Sequence, residues 1–161
     1  MLAAVKPLGS DDFSLIETLA CRIWPSAYDG ILSPEQIENI LSKIYNPANL
    51  AQELGDGHRF WGAFMGAAAL GFASGYRKGA VIWIKKLYVL PEAQGTGVGK
   101  LLLQAAIDGF SPGEEARLYV NGGNTSAQGF YVRQGFSHAD TVKVRMGDYD
   151  FTDFIFAKKL V

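Results

Sequence analysis

The chain has 161 residues, 48% apolar and 19% charged, a composition that excludes a disordered chain and supports a core of its own. Lys plus Arg number 15 and Asp plus Glu 16, so no net field draws the protein to nucleic acid or to an anionic membrane. The pattern predicts one domain over residues 1–161, reduced and cytoplasmic: a lone cysteine forms no internal disulfide, no apolar run spans a bilayer, and the start lacks a signal peptide.

No element is read before Ser10. Ser10-Asp11-Asp12 predicts a helix start, with Phe13, Ile16, Leu19, Ala20 and Ile23 on one face and Pro25 as its end. Cys21, within Leu19-Ala20-Cys21-Arg22-Ile23, reads as a buried structural thiol. Ser33-Pro34-Glu35-Gln36 opens a second helix as a cap, a first-turn proline and a capping-box glutamine, with Ile37, Ile40, Leu41 and Ile44 as its stripe. Asn46-Pro47 starts a short third helix that ends near Gly55. The period then changes: 59–65, 69–76 and 80–90 are rich in aromatic and β-branched residues, with Gly66 and Lys78-Gly79 as turns, which predicts an antiparallel meander. Residues 97–109 return to helix, with Val98, Leu101, Leu102, Ala105 and Ala106 inward. A strand over 116–120, a helix over 125–134 and strands over 136–145 and 153–160 follow. The order ααα-βββ-α-β-α-ββ is that of an α/β (α+β) fold with a mixed sheet, locally parallel across its strand-helix-strand unit.

The junction after the third strand carries the first chemical signal. Gln94-Gly95-Thr96-Gly97-Val98-Gly99-Lys100 leads straight into an apolar helix. Glycines allow positive φ and close approach, and free amides at a helix start favour phosphate. A P-loop fails here, because Gln94 stands where its first glycine belongs and Leu101 where its hydroxyl belongs. A dinucleotide turn fails because Lys100 replaces its third glycine. Gln-x-x-Gly-x-Gly between strand and helix remains.

Further on stands Leu118-x-Val120-x-x-x-Asn124-x-x-Ala127-x-x-Phe130-Tyr131-x-x-x-Gly135-Phe136. In this order and spacing, the two constellations resemble the GCN5-related N-acetyltransferase (GNAT) family over residues 82–136. Arg145-Met146-Gly147-Asp148, Thr152-Asp153-Phe154-Ile155, and Tyr28 with Leu32-Ser33-x-Glu35-Gln36-Ile37 resemble its PaiA-type polyamine acetyltransferase branch. The resemblance implies a mixed, mostly antiparallel sheet of about seven strands flanked by helices.

It also implies site roles. Acetyl-CoA is the acyl donor and CoA the product, without a metal. The backbone of Leu87, Tyr88 and Val89 would meet the pantetheine arm, and an amide near Val89 would polarise the thioester carbonyl. Gln94 would begin the pyrophosphate turn, with the amides of Gly95, Thr96, Gly97, Val98, Gly99 and Lys100 as donors. Asn124 would bond the pantetheine portion, and Ala127 would let it pass. Tyr131 would lie by the sulfur as general acid, and Tyr28 is the branch's candidate for a base.

Many members of the family carry a glutamate on the strand before the turn, where this chain has Ile84-Lys85-Lys86. The two lysines read as facing solvent or counter-charges, with Asp29 and Glu92 as further candidate bases. His58 reads as a loop residue, His138 as strand surface, and Trp24 and Trp61 as core or cleft wall. With Cys21, the two histidines make no zinc site. The implied activity is acetyl transfer to a small-molecule primary amine, a polyamine first. The alternatives are a peptide or protein N-terminal or lysine acetyltransferase, a non-catalytic acyl-CoA sensor and an ATP-binding module. Phe151, Phe154 and Phe156 on the last strand suggest a homodimer.

Overall fold

In the computed structural model, which describes residues 2–161, the chain runs β1 (Ala4–Leu8), α1 (Phe13–Ala27), α2 (Pro34–Ile44), α3 (Pro47–Gly55), β2 (Arg59–Met65), β3 (Ala68–Lys78), β4 (Val81–Val89), α4 (Val98–Asp108), β5 (Glu115–Asn121), α5 (Thr125–Arg133), β6 (Ser137–Met146) and β7 (Tyr149–Lys159). Seven strands form one sheet in the order β1-β2-β3-β4-β5-β7-β6. Every neighbouring pair is antiparallel except β4 and β5. The predicted α/β order therefore holds, with β1 added. That strand escapes pattern reading because Pro7 interrupts it, and a proline is tolerated on an edge strand whose outer side needs no donor.

Alternation along the strands separates two cores. Phe60 and Phe72 pack under α1, α2 and α3, whereas their neighbours Trp61 and Ala73 pack with α4 and the buried faces of β4 and β5. The predicted stripe of α1 is buried and Trp24 joins it. Pro25 does not end this helix, which runs on to Ala27. In the last turn the ring removes one donor only, and buried Ile23 and Trp24 hold the turn in place. Cys21 is exposed, not buried, because position 21 lies about 100° around the helix from Ala20. The phase of α4 also differs from the reading: Leu102, Leu103, Ala106 and Ile107 are buried and Leu101 is 46% exposed. The cap of α2 forms as predicted, with Ser33 Oγ accepting from Gln36 N at 3.1 Å and Gln36 Oε1 accepting from Ser33 N at 2.9 Å.

Two polar ties fix the frame around the site. Lys86 on β4 is 3% exposed, and its Nζ donates to both carboxylate oxygens of Glu53 on α3, at 2.6 and 2.9 Å. This is the counter-charge that the sequence allowed for Lys86. At the other side, the tip of the β6–β7 hairpin reaches α2. Asn39 Nδ2 donates to Asp148 Oδ2 at 2.7 Å, Lys43 Nζ to Asp148 Oδ1 at 2.9 Å, and Asp148 N to Asn39 Oδ1 at 3.1 Å. Gly147 makes this approach possible: its φ is +60°, and a Cβ there would lie 2.6 Å from Asn39 Oδ1. Phe156 belongs to the second core, so it offers no dimer surface; β7 lies inside the sheet between β5 and β6. No helix among the described residues is long and apolar enough to cross a membrane.

Candidate active site

The parallel pairing of β4 and β5 starts at Val81 and Glu115 and stops at Ile84 and Leu118, although both strands continue. The break coincides with a bulge: Ser74 opposes Lys86 and Gly75 opposes Ile84, leaving Lys85 as the extra residue of β4. Beyond it the strands part. Leu90 N donates to Leu70 O at 2.8 Å, so even-numbered residues of this stretch turn their backbone to β3. Leu87 and Val89 therefore present their N–H and C=O groups to the gap. Tyr88 differs, since its backbone faces β3 and its hydroxyl bonds that of Tyr28 at 2.9 Å. The gap holds a cavity of about 60 Å³ lined by Lys85, Leu87, Tyr88, Asn124, Ala127 and Tyr131 among others.

Below the gap lies the glycine turn. Gly95 and Gly97 have φ of +77° and +88°, a conformation that costs an L side chain about 1–2 kcal/mol. Thr96 Oγ1 donates to Ala93 O, and Gln94 Nε2 reaches Val89 O at 3.4 Å, tying the turn to the bare edge of β4. Gly97 caps α4 without a side-chain acceptor. The amides of Gly95 through Lys100 have no acceptor in hydrogen-bonding geometry among the described residues. Six adjacent donors at a helix start, with Lys100 exposed beside them, form a cradle for a phosphate-bearing group. A Cβ on Gly99 would touch the Phe130 ring at 3.4 Å, so this glycine lets α4 close on α5.

On the opposite wall Asn124 caps α5, its Oδ1 accepting from Ala127 N at 3.1 Å and its amide NH₂ left for the gap. Tyr131 is buried among Phe130 and Phe136, and desolvation pushes its pKa well above the ordinary value of 10, with Tyr28 adding to the rise. Its hydroxyl makes no hydrogen bond among the described residues and borders the gap. Burial likewise moves Tyr28 up to about 12, against the lowering effect of its bond to Tyr88. Both tyrosines hold their protons at neutral pH, which suits a general acid and makes Tyr28 a hydrogen-bonding hydroxyl, not a resting phenolate.

A larger cavity of about 500 Å³ adjoins the gap, sharing Asn121 with it. Its walls are Gly30 and Ile31 from the α1–α2 loop, Gly122 and Gly123 after β5, and Phe151, Thr152 and Phe154 of β7. Sequence reading missed this room and Asn121, whose only local signal was the Gly122-Gly123 pair between it and the recognised Asn124. Asp29 and Glu92 line neither cavity, and Glu92 is engaged with Arg22 at 3.1 Å on the surface. His58 is half-buried and stacked on Tyr76 at 4.6 Å, its pKa lowered chiefly by burial, and His138 is an exposed strand residue.

Comparison with known proteins agrees with this geometry. The sequence pattern of the family described as "Acetyltransferase (GNAT) domain" matches residues 29–153. A spermidine N(1)-acetyltransferase of Thermoplasma acidophilum is 30% identical over 99% of this chain and 98% of its own. An uncharacterised N-acetyltransferase of Mycobacterium tuberculosis is 27% identical over 93% of this chain and 99% of its own. The crystal structure of the PaiA N-acetyltransferase of Thermoplasma acidophilum, in complex with coenzyme A, superposes with a TM-score of 0.82 at 27% identity, covering 99% of each chain. A GCN5-related N-acetyltransferase from Rhodopseudomonas palustris gives 0.84 at 22% identity, over 99% of this chain and 97% of that one.

Proposed function

The chain belongs to the GNAT acetyltransferase family, and from that premise we propose that residues 1–161 form one catalytic unit that acetylates a small-molecule primary amine, a polyamine first among acceptors. It is an acetyl-CoA-dependent N-acetyltransferase. Likeness to a spermidine acetyltransferase along the whole chain supports the polyamine. A reduced lone thiol and dependence on acetyl-CoA suit the cytoplasm, where we place the protein.

One observation carries the reading: the bare edge of β4 and Tyr131 border one split in the sheet, and the six free amides follow the end of that same strand, with Gly99 close to Val89. Acetyl-CoA, the acyl donor, supplies an activated thioester. The amides of Gly95 to Lys100 bind its pyrophosphate, and Leu87 and Val89 pair with its amide-bearing arm as a strand edge pairs with a strand. Asn124 donates to that arm and Ala127 leaves room for it. A Val89-side amide stabilises the developing oxyanion, where one such donor is worth on the order of 3 kcal/mol. Tyr131 gives its proton to the departing sulfur, and Tyr28, held by Tyr88, orients the acceptor end. The larger cavity receives the acceptor, so donor and acceptor meet at Asn121.

Thermal unfolding with acetyl-CoA, CoA or ATP, followed by spermidine and thiol detection in the same samples, tests this. Stabilisation by both CoA species together with thiol release is expected. Stabilisation without release under any amine or peptide would leave an acyl-CoA sensor, and protection by ATP alone would overturn the reading of the turn.

A further inference from the structure

Amine acetylation needs a proton acceptor, and the stretch of β4 beside the gap offers Lys85 and Lys86 and no carboxylate. The sheet register brings a carboxylate from elsewhere. Asp153 on β7 lines neither cavity itself, but it is the direct cross-strand partner of Asn121 on β5, the residue common to both, which puts its carboxylate within reach of their junction directly or through one water. Opposed residues on paired strands share a face, with Cβ atoms about 5 Å apart. Alternation along β7 sends Phe151 and Asp153 to the side of the first core, where α1 and its following loop lie, and Phe156 to the other. The side chain is half-buried, and no hydrogen bond holds its carboxylate among the described residues. Burial raises its pKa above 3.8, and the Lys85 charge, on the rim of the gap, opposes the rise. At the end of α1 it faces Tyr28, whose pKa its charge pushes upward; its partners Asn121 on β5 and Val142 on β6 carry no charge.

We propose that Asp153 is the general base of the transfer, taking the acceptor's proton where the two cavities meet. The assignment rests on the acetyltransferase reading above. The acceptor arrives as R–NH₃⁺; one N–H bond breaks, its proton passing to the Asp153 carboxylate and on to solvent, and the electron pair stays on nitrogen. A C–N bond forms at the acyl carbon. The C–S bond breaks with its electron pair on sulfur, which takes the Tyr131 proton, and the surplus proton of nitrogen restores Tyr131. One proton is released for each acetyl group moved.

The test compares wild type with Asp153→Asn and Asp153→Glu. In Asp153→Asn, kcat falls about a hundredfold, the low end of what a general base contributes. The acid limb set by a carboxyl group disappears from its kcat/KM profile, leaving the rise from the amine's own deprotonation, and thermal stabilisation by acetyl-CoA is unchanged. Asp153→Glu keeps the limb at reduced rate. In ¹³C-aspartate-labelled protein, one carboxyl resonance titrates above the others and is missing from Asp153→Asn. If Asp153→Asn does not fold, Asp153→Ser takes its place. An unaltered acid limb in a folded variant overturns the assignment alone. Wild-type protein that binds acetyl-CoA yet releases no thiol with any amine overturns the acetyltransferase reading and this assignment with it.

Discussion

The donor gap and the acceptor cavity lie side by side and are built from different material. The gap takes its donor-binding groups mostly from main chain, the bare edge of β4 and the amides of the glycine turn, and is closed by the side chains of Asn124 and Tyr131. The cavity beside it is walled by a loop and by side chains of β7, from segments far apart in sequence. Backbone donors in a fixed turn recognise what every acetyl-CoA-using chain must bind. Side chains from separate elements can be exchanged one at a time, so the acceptor half is where a family with one donor chemistry diversifies. Substitutions that damage one half and spare the other test this division.

The largest effect is expected behind both halves. Lys86 follows the bulge that splits the sheet, and its buried bond to Glu53 holds β4 against α3. Glu53→Gln leaves an unpaired cation at a site whose burial already lowers the Lys86 pKa, and should cost about 3 kcal/mol. Denaturant unfolding measures it. Replacing both partners with Glu53→Leu and Lys86→Met should recover most of the loss, since two apolar groups need no pairing. A destabilised Glu53→Gln protein with both KM values intact would show that the ion pair holds the fold without shaping either half.

Next comes the chemistry between the halves. Tyr131→Phe keeps the ring and removes the proton, so kcat should fall at least tenfold with little change in acetyl-CoA affinity. An unchanged kcat removes Tyr131 from the reaction. Because burial raises the pKa of Tyr28, Tyr88 and Tyr131 above 10, the folded state favours their protonated forms. That contribution is fully present below pH 10 and is lost as pH climbs through the raised values, so unfolding between about pH 8 and pH 12 should show stability falling only in the alkaline part of the range.

The donor half alone should respond to Gly97→Ala. A methyl at φ +88° costs about 1–2 kcal/mol and turns the amides away from the cradle. The KM for acetyl-CoA should rise about tenfold while the acceptor KM stays in place. Equal movement of both would break the division.

The same division explains what was legible. Gln94 to Lys100 and Asn124 to Tyr131 could be read because local spacing fixes them: a strand end, two glycines at positive φ, a helix start, an asparagine cap. The order of twelve elements followed from periodicity except for β1, whose five residues include a proline and gain strand character only by pairing with β2. Asp153 stood within a recognised motif and Asn121 beside a glycine pair, but their juxtaposition and the bulge at Lys85 could not be read locally, because they depend on which residues the β5–β7 and β3–β4 registers set opposite one another. The wall formed by Ile31 and Phe151 was equally hidden: it exists only because the β6–β7 hairpin folds over α2.

That hairpin provides the smallest and most selective effect. Asp148 accepts from Asn39 and from Lys43, and these bonds hold its carboxyl below the ordinary 3.8, the bond from Asn39 contributing most. A carboxylate whose pKa is depressed by folding gives its support above that ordinary value and loses it as pH falls through the lower one, so the clasp holds across the neutral range. The bonds lie in solvent and each is weak, but they join the two sides of the acceptor cavity. One side follows α1 directly and the other follows the hairpin turn, where Met146, Tyr149 and Phe151 pack on the first core. Asp148→Ala should therefore leave the fold and the KM for acetyl-CoA as they are and raise the acceptor KM about threefold, the modest scale of exposed pairs. Gly147→Ala should do more, since its added carbon meets Asn39 at 2.6 Å and must push the hairpin off α2. Steady-state kinetics on both variants, with each substrate varied in turn, separates the outcomes. A rise in the acceptor KM alone marks the hairpin as the movable wall of the acceptor half, whereas a matching rise for acetyl-CoA would mean that the two halves share one mechanical frame.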